Sequence, residues 1–365
     1  MLCLGIESSC DETALALVRD GRPAGQVLYS QADVHALFGG VVPELASREH
    51  GRFIVPLYEL LAREHKFSPG DIDCIAVARG PGLLGSLLVG VAFAKSLALA
   101  WRKPVLGINH LHAHLLAAGL EGELKFPAVG LLVSGGHTHI YHIDSPARFS
   151  LLGRSIDDAA GEALDKFGKM LGLPYPAGKY IDRFAASGGS PMELFPKPYL
   201  DNDNCDFSFS GLKTAAATFL KSRPELRFQY DEANCLPVPP GGSAGLELAG
   251  ICASYVHAVA ETLRIKLARA IERIQKTAAL ASIILAGGVA ASGTIRKTLG
   301  EMSLQTGLPL YIPSAALCTD NAYMVAYAGE LLSGLGLAHS LSFTAVPRGA
   351  QVPDDYHAAF GYRAF

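Results

Sequence analysis

Two histidines one helical turn apart, His110 and His114, and an aspartate about two hundred residues later, Asp320, are the residues of this chain best suited to share a metal ion. In a helix the i,i+4 spacing places both imidazoles on one face, close enough to bind one cation. Asp320 precedes Asn321 and Ala322 at the expected start of a later helix, where a carboxylate can act as an oxygen ligand. The pair alone decides little. Scattering 12 histidines over 365 residues gives roughly 0.4 such pairs by chance, and two polar residues on a half-buried helix face would look the same.

The elements that must position these residues can be read from periodicity. Short apolar runs at 2–6, 14–18, 74–78, 105–108, 129–133, 140–143, 282–285 and 308–312 read as strands. Helical patterns cover 43–65, 86–101, 110–118, 158–171, 246–277 and 321–332. The alternation argues for α/β architecture with partly parallel sheets. Half the residues are hydrophobic and 18% are charged, so the chain is globular and long enough for two cores. A net charge of −3 does not mark a nucleic-acid binder, so any RNA contact must come from a local patch or a partner.

No window reads as a membrane span, because the apolar run at 83–100 is broken by Gly85, Ser86, Gly90 and Lys95. The first residues lack a basic segment and meet Glu7 at once, which reads as a strand and not a signal peptide. Seven scattered cysteines without CxxC spacing suit reduced thiols, and with them a cytoplasmic location.

A faint internal repeat stands out. An apolar strand, a small polar turn and a second strand occur at 4–14, with Ser8 and Ser9 in the turn, and again at 131–140, with Ser134, Gly135 and Gly136. Small turn residues let backbone amides approach a phosphate closely, which suggests a duplicated fold with a nucleotide between its halves, though two ordinary hairpins would give the same pattern. Gly287-Gly288 and Gly80-Pro81-Gly82 also sit where a strand gives way to a helix and could serve an anion or simply a turn. The stretch 121–127 reads as a lobe boundary, and 191–205 and 236–245 as surface loops.

Several longer motifs make a specific pattern: Gly5-Ile6-Glu7-Ser8-Ser9-Cys10-Asp11-Glu12-Thr13; Gly39-Gly40-Val41-Val42-Pro43-Glu44-Leu45-Ala46-Ser47-Arg48; Gly80-Pro81-Gly82-Leu83; Leu132-Val133-Ser134-Gly135-Gly136-His137-Thr138; Phe207-Ser208-Phe209-Ser210-Gly211-Leu212-Lys213-Thr214; and Cys318-Thr319-Asp320-Asn321. In this order, from Gly5 to about Gly329, the chain closely resembles the TsaD family of tRNA threonylcarbamoyl transferases, whose archaeal and eukaryotic counterparts were once called glycoproteases.

The resemblance implies the actin-like, sugar-kinase-like (ASKHA) α/β fold, with two related lobes of mixed sheets around a nucleotide cleft. The expected division is an N-terminal lobe at 1–125, a C-terminal lobe with helical insertions at 126–318, a closing helix at 319–334 and a peripheral tail at 335–365. The implied activity moves a threonylcarbamoyl group from its adenylate to N6 of the adenosine 3′ to the anticodon, in tRNAs reading codons that begin with A, and releases AMP. Carried over motif by motif, His110, His114 and Asp320 match the metal ligands, and Leu132, Val133, Ser134, Gly135 and Gly136 match the loop facing the adenylate. Asp165, Gly178 and Asp182 match further substrate contacts.

One departure matters: Ser292 stands where the family often has an asparagine that contacts nucleotide, and a hydroxyl is shorter and offers one donor where an amide offers two. Pro176-Ala177-Gly178 in place of Pro-Gly-Gly is a milder change.

The expected cofactor is one divalent or trivalent metal per chain, iron first and zinc second, a choice the ligand types alone do not settle. Two imidazoles and one carboxylate leave coordination positions open for substrate oxygens. Glu12 is the candidate to steer or deprotonate the incoming amine, with a plain surface role as the alternative. The implied partners are tRNA, threonylcarbamoyl-adenylate and, in bacteria, TsaB and the ATPase TsaE.

Three rival readings compete with this one. A zincin protease needs Glu after the first histidine, and Leu111 cannot serve as a base. A phosphotransferase of the same fold would not need the His–His–Asp group, and a non-catalytic scaffold would not keep it. His112 should point away from His110 and read as structural, as should His139, while His137 could touch substrate. The basic stripe Lys266, Arg269, Arg273 and Lys276 reads first as a solvated helix face and second as a contact to the tRNA backbone.

Overall fold

The structure, a computed structural model, describes residues 1–38, 40–187, 190–231 and 236–358, so Gly39 of the second motif and the last residues of the tail lie outside it. In chain order the elements begin with β1 (Leu2–Glu7), β2 (Glu12–Arg19), β3 (Arg22–Ser30), α1 (Ala32–Ala36), α2 (Pro43–His65), β4 (Cys74–Gly80), α3 (Leu84–Trp101), β5 (Val105–Asn109) and α4 (His110–Leu116). They continue with β6 (Ala128–Val133), β7 (Thr138–Ser145), β8 (Arg148–Arg154), α5 (Ala160–Met170), α6 (Gly178–Ser187), α7 (Ser210–Leu220), β9 (Gln229–Asp231), β10 (Leu236–Val238), α8 (Gly242–Gln275), β11 (Ser282–Ala286), α9 (Gly293–Thr306), β12 (Leu310–Tyr311) and α10 (Ala315–Cys318). The chain ends with α11 (Ala322–Gly334), β13 (Leu337–Ala338) and β14 (His357–Ala358). Two compact units result, one made of Met1–Leu124 with Thr319–Phe365 and the other of Lys125–Cys318.

Each unit is built on a five-stranded sheet of the same topology. In the first unit the order is β3-β2-β1-β4-β5, with β1, β2 and β3 antiparallel and β1, β4 and β5 parallel. In the second, β8-β7-β6-β11-β12 repeats that plan strand for strand, including the split into antiparallel and parallel halves. The two hairpins legible in the sequence are therefore the equivalent first turns of two equivalent sheets.

Alternation along the first sheet assigns its faces. Leu4, Ile6, Leu15, Leu17, Ile75 and Val77 join Ile54, Leu57 and Leu61 of α2 and Val91 and Ala94 of α3 in one apolar core. Helix α2 begins with Pro43 at its first position, where the missing N–H costs nothing, and stops at Lys66 in a left-handed conformation. The other face carries Gly5, Ala14, Ala16 and Ala76, and α11 packs there. The fit leaves no room for side chains: a methyl on Gly5 would lie 2.5 Å from the Ala326 nitrogen and 2.6 Å from the Ala322 oxygen, and one on Gly329 would lie 2.3 Å from Ala76 Cβ. The N-terminus of α11 is fastened by Asn321, whose side chain accepts from Met324 N–H (3.0 Å), and by Gln26 of β3, which accepts from Ala322 and Tyr323 N–H.

Helices α3 and α8 are each long and apolar enough to cross a bilayer, contrary to the sequence expectation, because scattered Gly, Ser and Lys do not lower the mean hydropathy far enough. Helix α8 is mostly buried in its own unit, whereas α3 buries one face and leaves Leu88 and Leu99 exposed. Leu87, Val91, Ala94 and Ala98 of α3 are buried. Helix α8 supplies Ile251, Tyr255, Val259 and Leu263 to the second core, where Tyr255 stacks on Phe167 at 4.0 Å.

The first half of the basic stripe is corrected, while Arg273 and Lys276 are exposed as a solvated face would be. Lys266 is fully buried, its ammonium donating to Asn202 Oδ1 (2.7 Å), Asn204 O (3.1 Å) and Asn204 Oδ1 (3.2 Å), and Arg269 donates to the carbonyls of Leu200 and Asn202. These two cations hold the polar loop ahead of Phe207; they are not a solvated helix face. Edge strands β3 and β8, too polar and Gly/Pro-broken to read as strands, are present as well.

The C-terminal segment, expected to be peripheral, enters the first core. Phe343 and Val346 are buried, Val346 N–H donates to Arg79 O, and Lys95 Nζ donates to Phe343 O. Arg79, itself buried, bonds Asp355 and donates to Thr344 O (3.2 Å). Gly107 N–H, on the strand leading into α4, donates to His339 Nδ1 (3.1 Å), and His339 Nε2 lies 3.1 Å from both Asp355 Oδ1 and Arg79 Nη1. The partners are distant in sequence, which is why no local pattern announces them.

Two outcomes follow from this packing. In an open strand position Gly5→Ala would gain about 0.5–1 kcal/mol. Against the α11 backbone the overlap should win, for a net loss of about 1–3 kcal/mol, read as a lower urea midpoint; an unchanged or raised midpoint would refute the close approach. The second concerns acid. Burial, aided by Arg79 and opposed by Asp355, pulls the His339 imidazole down to about 4. Between about pH 6.5 and 4 the unfolded chain therefore binds a proton there that the folded chain refuses, and stability falls as pH falls through that window. His339→Asn, whose amide oxygen can still accept from Gly107, should flatten the fall in urea midpoint between pH 7.5 and 5. An identical slope in variant and parent would count against it.

Candidate functional site

The hairpin turn 8–11, the β5–α4 junction and the N-terminus of α11 all belong to the first unit, and between them they deliver His110, His114 and Asp320 to one place. Asn109 ends β5 and caps α4 by accepting from Leu111 N–H (3.0 Å), so His110 opens the helix and His114 follows one turn on. The two rings meet edge to face with centroids 4.7 Å apart. Asp320 Oδ1 lies 3.0 Å from His114 Nε2 and 3.6 Å from His110 Nε2. One ligand atom from each of the three residues lies within 4.8 Å of the others.

This arrangement fits a metal ion. Zinc bonds of about 2.0–2.2 Å in a tetrahedron put ligand atoms roughly 3.3–3.6 Å apart, inside the observed range, so only small side-chain movements are needed. The histidines are buried and the aspartate is partly exposed. His110 also has the outer partner that ligating histidines require, since its Nδ1 lies 3.0 Å from Glu7 Oε2. Burial works against charge on His110, but Glu7 and Asp320 outweigh it and hold the imidazole up at about 9, as expected where a cation belongs. Among the described residues, His114 Nδ1 is buried without a hydrogen-bond partner.

Glu12 stands at the start of β2, next to the same turn. Burial, then Asp320, then Asp11 push its carboxyl up to about 9, against a weak bond donated by Ser30 Oγ (3.3 Å). The turn itself is pinned by His50 of α2, which bonds Cys10 O (3.0 Å) and Thr13 Oγ1 (2.7 Å). His112 points elsewhere on α4, to Asn109 Nδ2 at 3.2 Å.

The second unit collects the residues matched to substrate contacts. Leu132 and Val133 end β6, and Ser134, Gly135 and Gly136 form the turn, closed by Ser134 N–H donating to His137 O (2.8 Å). Two glycines are required beside it. A methyl on Gly161 would lie 2.6 Å from Ser134 O, and one on Gly287, whose φ is +94°, would lie 2.4 Å from Val133 O. Asp165 of α5 accepts from Ala177 N–H (2.8 Å), beside Gly178, and burial raises its pKa.

Asp182 of α6 takes the Ser292 hydroxyl on one oxygen and Gly293 N–H on the other (3.2 Å). The short hydroxyl that replaces asparagine is thus occupied by another matched residue. His139 bonds Tyr141 OH (2.9 Å) and is pulled down to about 4 by burial and Arg154.

Sequence reasoning did not single out Glu7, nor the paired Asp157 and Asp158. Asp157 accepts from Ser208, Phe209 N–H and Ser210, while Asp158 pairs with Lys166 (2.6 Å) and Lys213 (3.1 Å). The signal was the donors Ser208, Ser210 and Lys213 interleaved with apolar residues, which need acceptors somewhere in the fold. Among the described residues Cys3, Cys10, Cys74, Cys205 and Cys252 form no disulfide, and Cys318 Sγ donates to Pro313 O (3.5 Å).

Solved structures of other proteins share the fold. Full-length HypF in its phosphate- and nucleotide-bound form aligns over 94% of this chain and 47% of its own, with TM-score 0.57 at 12% identity. Component A of (R)-2-hydroxyglutaryl-CoA dehydratase from Acidaminococcus fermentans aligns over 91% of this chain and 96% of its own, with TM-score 0.50 at 13% identity. At such identities the likeness shows the actin-like fold and nothing more.

Closer relatives exist in sequence. The tRNA N6-adenosine threonylcarbamoyltransferase of Nitratidesulfovibrio vulgaris (strain DP4) is 60% identical over 356 residues, 98% of each chain. That of Lawsonia intracellularis (strain PHE/MN1-00) is 54% identical over 357 residues, 97% of this chain and 99% of its own. Residues 24–327 match the family described as TsaD: tRNA N6-adenosine threonylcarbamoyltransferase. The chain belongs to that family.

Proposed function

We propose that this chain transfers the threonylcarbamoyl group of threonylcarbamoyl-adenylate to N6 of the adenosine 3′ to the anticodon in tRNAs reading codons that begin with A. The observation that carries the reading is the convergence of His110, His114 and Asp320, from segments 206 residues apart (320 minus 114), on a space the size of one ion.

In the reaction the N6 lone pair attacks the carbamoyl carbon, the bond from that carbon to the phosphate oxygen breaks, AMP leaves and N6 gives up a proton. A metal held by His110, His114 and Asp320, iron by preference and zinc otherwise, would supply positive charge that orients a substrate oxygen. The residues of the chain do the rest. Leu132, Val133, Ser134, Gly135 and Gly136 offer a backbone turn to the adenylate, as Asp165, Gly178, Asp182 and Ser292 offer polar contacts. Fixing both reactants in one complex removes the entropy cost of their meeting. Glu12 steers the amine or takes its proton. It can take that proton only as the carboxylate, and burial with Asp320 and Asp11 close by works against ionisation. The reading assigns the chain to the cytoplasm with TsaB and TsaE as helpers, and the family name implies tRNA as the substrate.

His110→Ala and His114→Ala, each purified with the fold checked by circular dichroism, should lose bound metal. Each should also lose transfer activity by at least about 100-fold, in line with the loss of a metal's charge stabilisation, as measured by mass spectrometry of tRNA nucleosides. Wild-type activity in either variant would remove the metal from the mechanism. Release of labelled phosphate to a sugar or carboxylate acceptor, with no modified nucleoside, would favour a phosphotransferase instead.

A further inference from the structure

Glu7 is the last residue of β1, and its side chain is completely buried. Both carboxylate oxygens are engaged: Oε1 accepts from Ser9 N–H at 2.6 Å, and Oε2 faces His110 Nδ1 at 3.0 Å. We infer that Glu7 is a positioning residue that sets the tautomer of His110, keeping a proton on Nδ1 so that Nε2 presents a bare lone pair to the ion. This rests on the metal-centre reading above and deepens it.

The argument is one of donors and acceptors. A carboxylate only accepts, so the imidazole nitrogen facing it must be the donor. Ser9 Oγ, 3.2 Å from the same nitrogen, is compatible with either tautomer and cannot choose between them. Once a cation takes the place of the second ring proton, the other nitrogen is bare and looks towards Asp320 and His114, which is what ligation through Nε2 requires. The second histidine gives the contrast, because its Nδ1 is buried with no hydrogen-bond partner among the described residues. The centre is therefore asymmetric, with one ligand held in its binding form by the protein and the other not.

Glu7→Gln tests this sharply because it keeps size and shape. The backbone N–H of Ser9 can only donate, so the single amide oxygen of glutamine must turn to it. That leaves the amide NH2 facing His110 Nδ1, forces Nδ1 to accept, and moves the ring proton to Nε2, into the position of the ion.

The experiment uses the full-length chain stripped with chelator, titrated with zinc alone, and then nitrogen-15 NMR of the histidine rings in the zinc-loaded protein. Wild type should bind one zinc and show His110 protonated at Nδ1 with Nε2 metallated. Glu7→Gln should bind zinc roughly 10–100-fold more weakly, the usual cost of losing an outer partner, while keeping its circular dichroism spectrum. Binding within threefold of wild type, or metal on Nδ1 of His110 in wild type, would overturn the assignment. Should the variant not fold, the wild-type spectrum decides alone. A wild-type protein that takes up no zinc would instead overturn the metal centre itself, a result distinct from a failure of Glu7.

Discussion

Helix α11 lies against β1 so closely that one methyl at Gly5 would overlap two backbone atoms of the helix. The architecture of the first unit follows from that contact. β1 is the central strand of its sheet and ends in Glu7; α11 begins two residues after Asp320. Pressing one backbone on the other sets the distance between a carboxylate that holds His110 and a carboxylate that would share its ion. Small residues on β2, Ala14 and Ala16, continue the same close fit beside Ala322. Bulk at these positions would fill space but would move the aspartate.

The same sheet occurs twice in the chain, with different additions. In the first unit the helix packed on the small-residue face arrives from the far end of the sequence. In the second, α8 and the helices around it build a large aromatic core, and the equivalent hairpin turn is pressed by Gly161 and Gly287 instead of being filled by side chains. One turn thus carries acids and is enclosed by histidines, whereas the other presents mainly backbone. A single duplicated frame can in this way offer charge in one copy and amides in the other.

Much of this could be read from residues alone, for identifiable reasons. Helix α2 announces itself because Pro43 starts it and apolar residues recur at helical spacing through Leu61. His110 and His114 could be paired because a helix makes i and i+4 neighbours, and the Asn109 cap secures the register. Asp320 needed the order of motifs, not their spacing. What stayed hidden was non-local. Glu7 reads as the polar end of a strand, and nothing near it names its partner 103 residues away. Lys266 and Arg269 fall at helical spacing with other basic residues and look solvated until the 200–204 loop is seen wrapped around them. The ion group of Arg79, His339 and Asp355 joins segments more than 250 residues apart.

The first unit is discontinuous, since residues after Cys318 complete what the first 124 begin. During synthesis the Lys125–Cys318 stretch emerges whole and has every strand of its own sheet in hand. The earlier stretch must wait, its small-residue face uncovered and Asp320 missing, until α11 has been made. Any ion that this centre binds must therefore wait for Asp320, because a nascent chain truncated before it has only two imidazoles to offer.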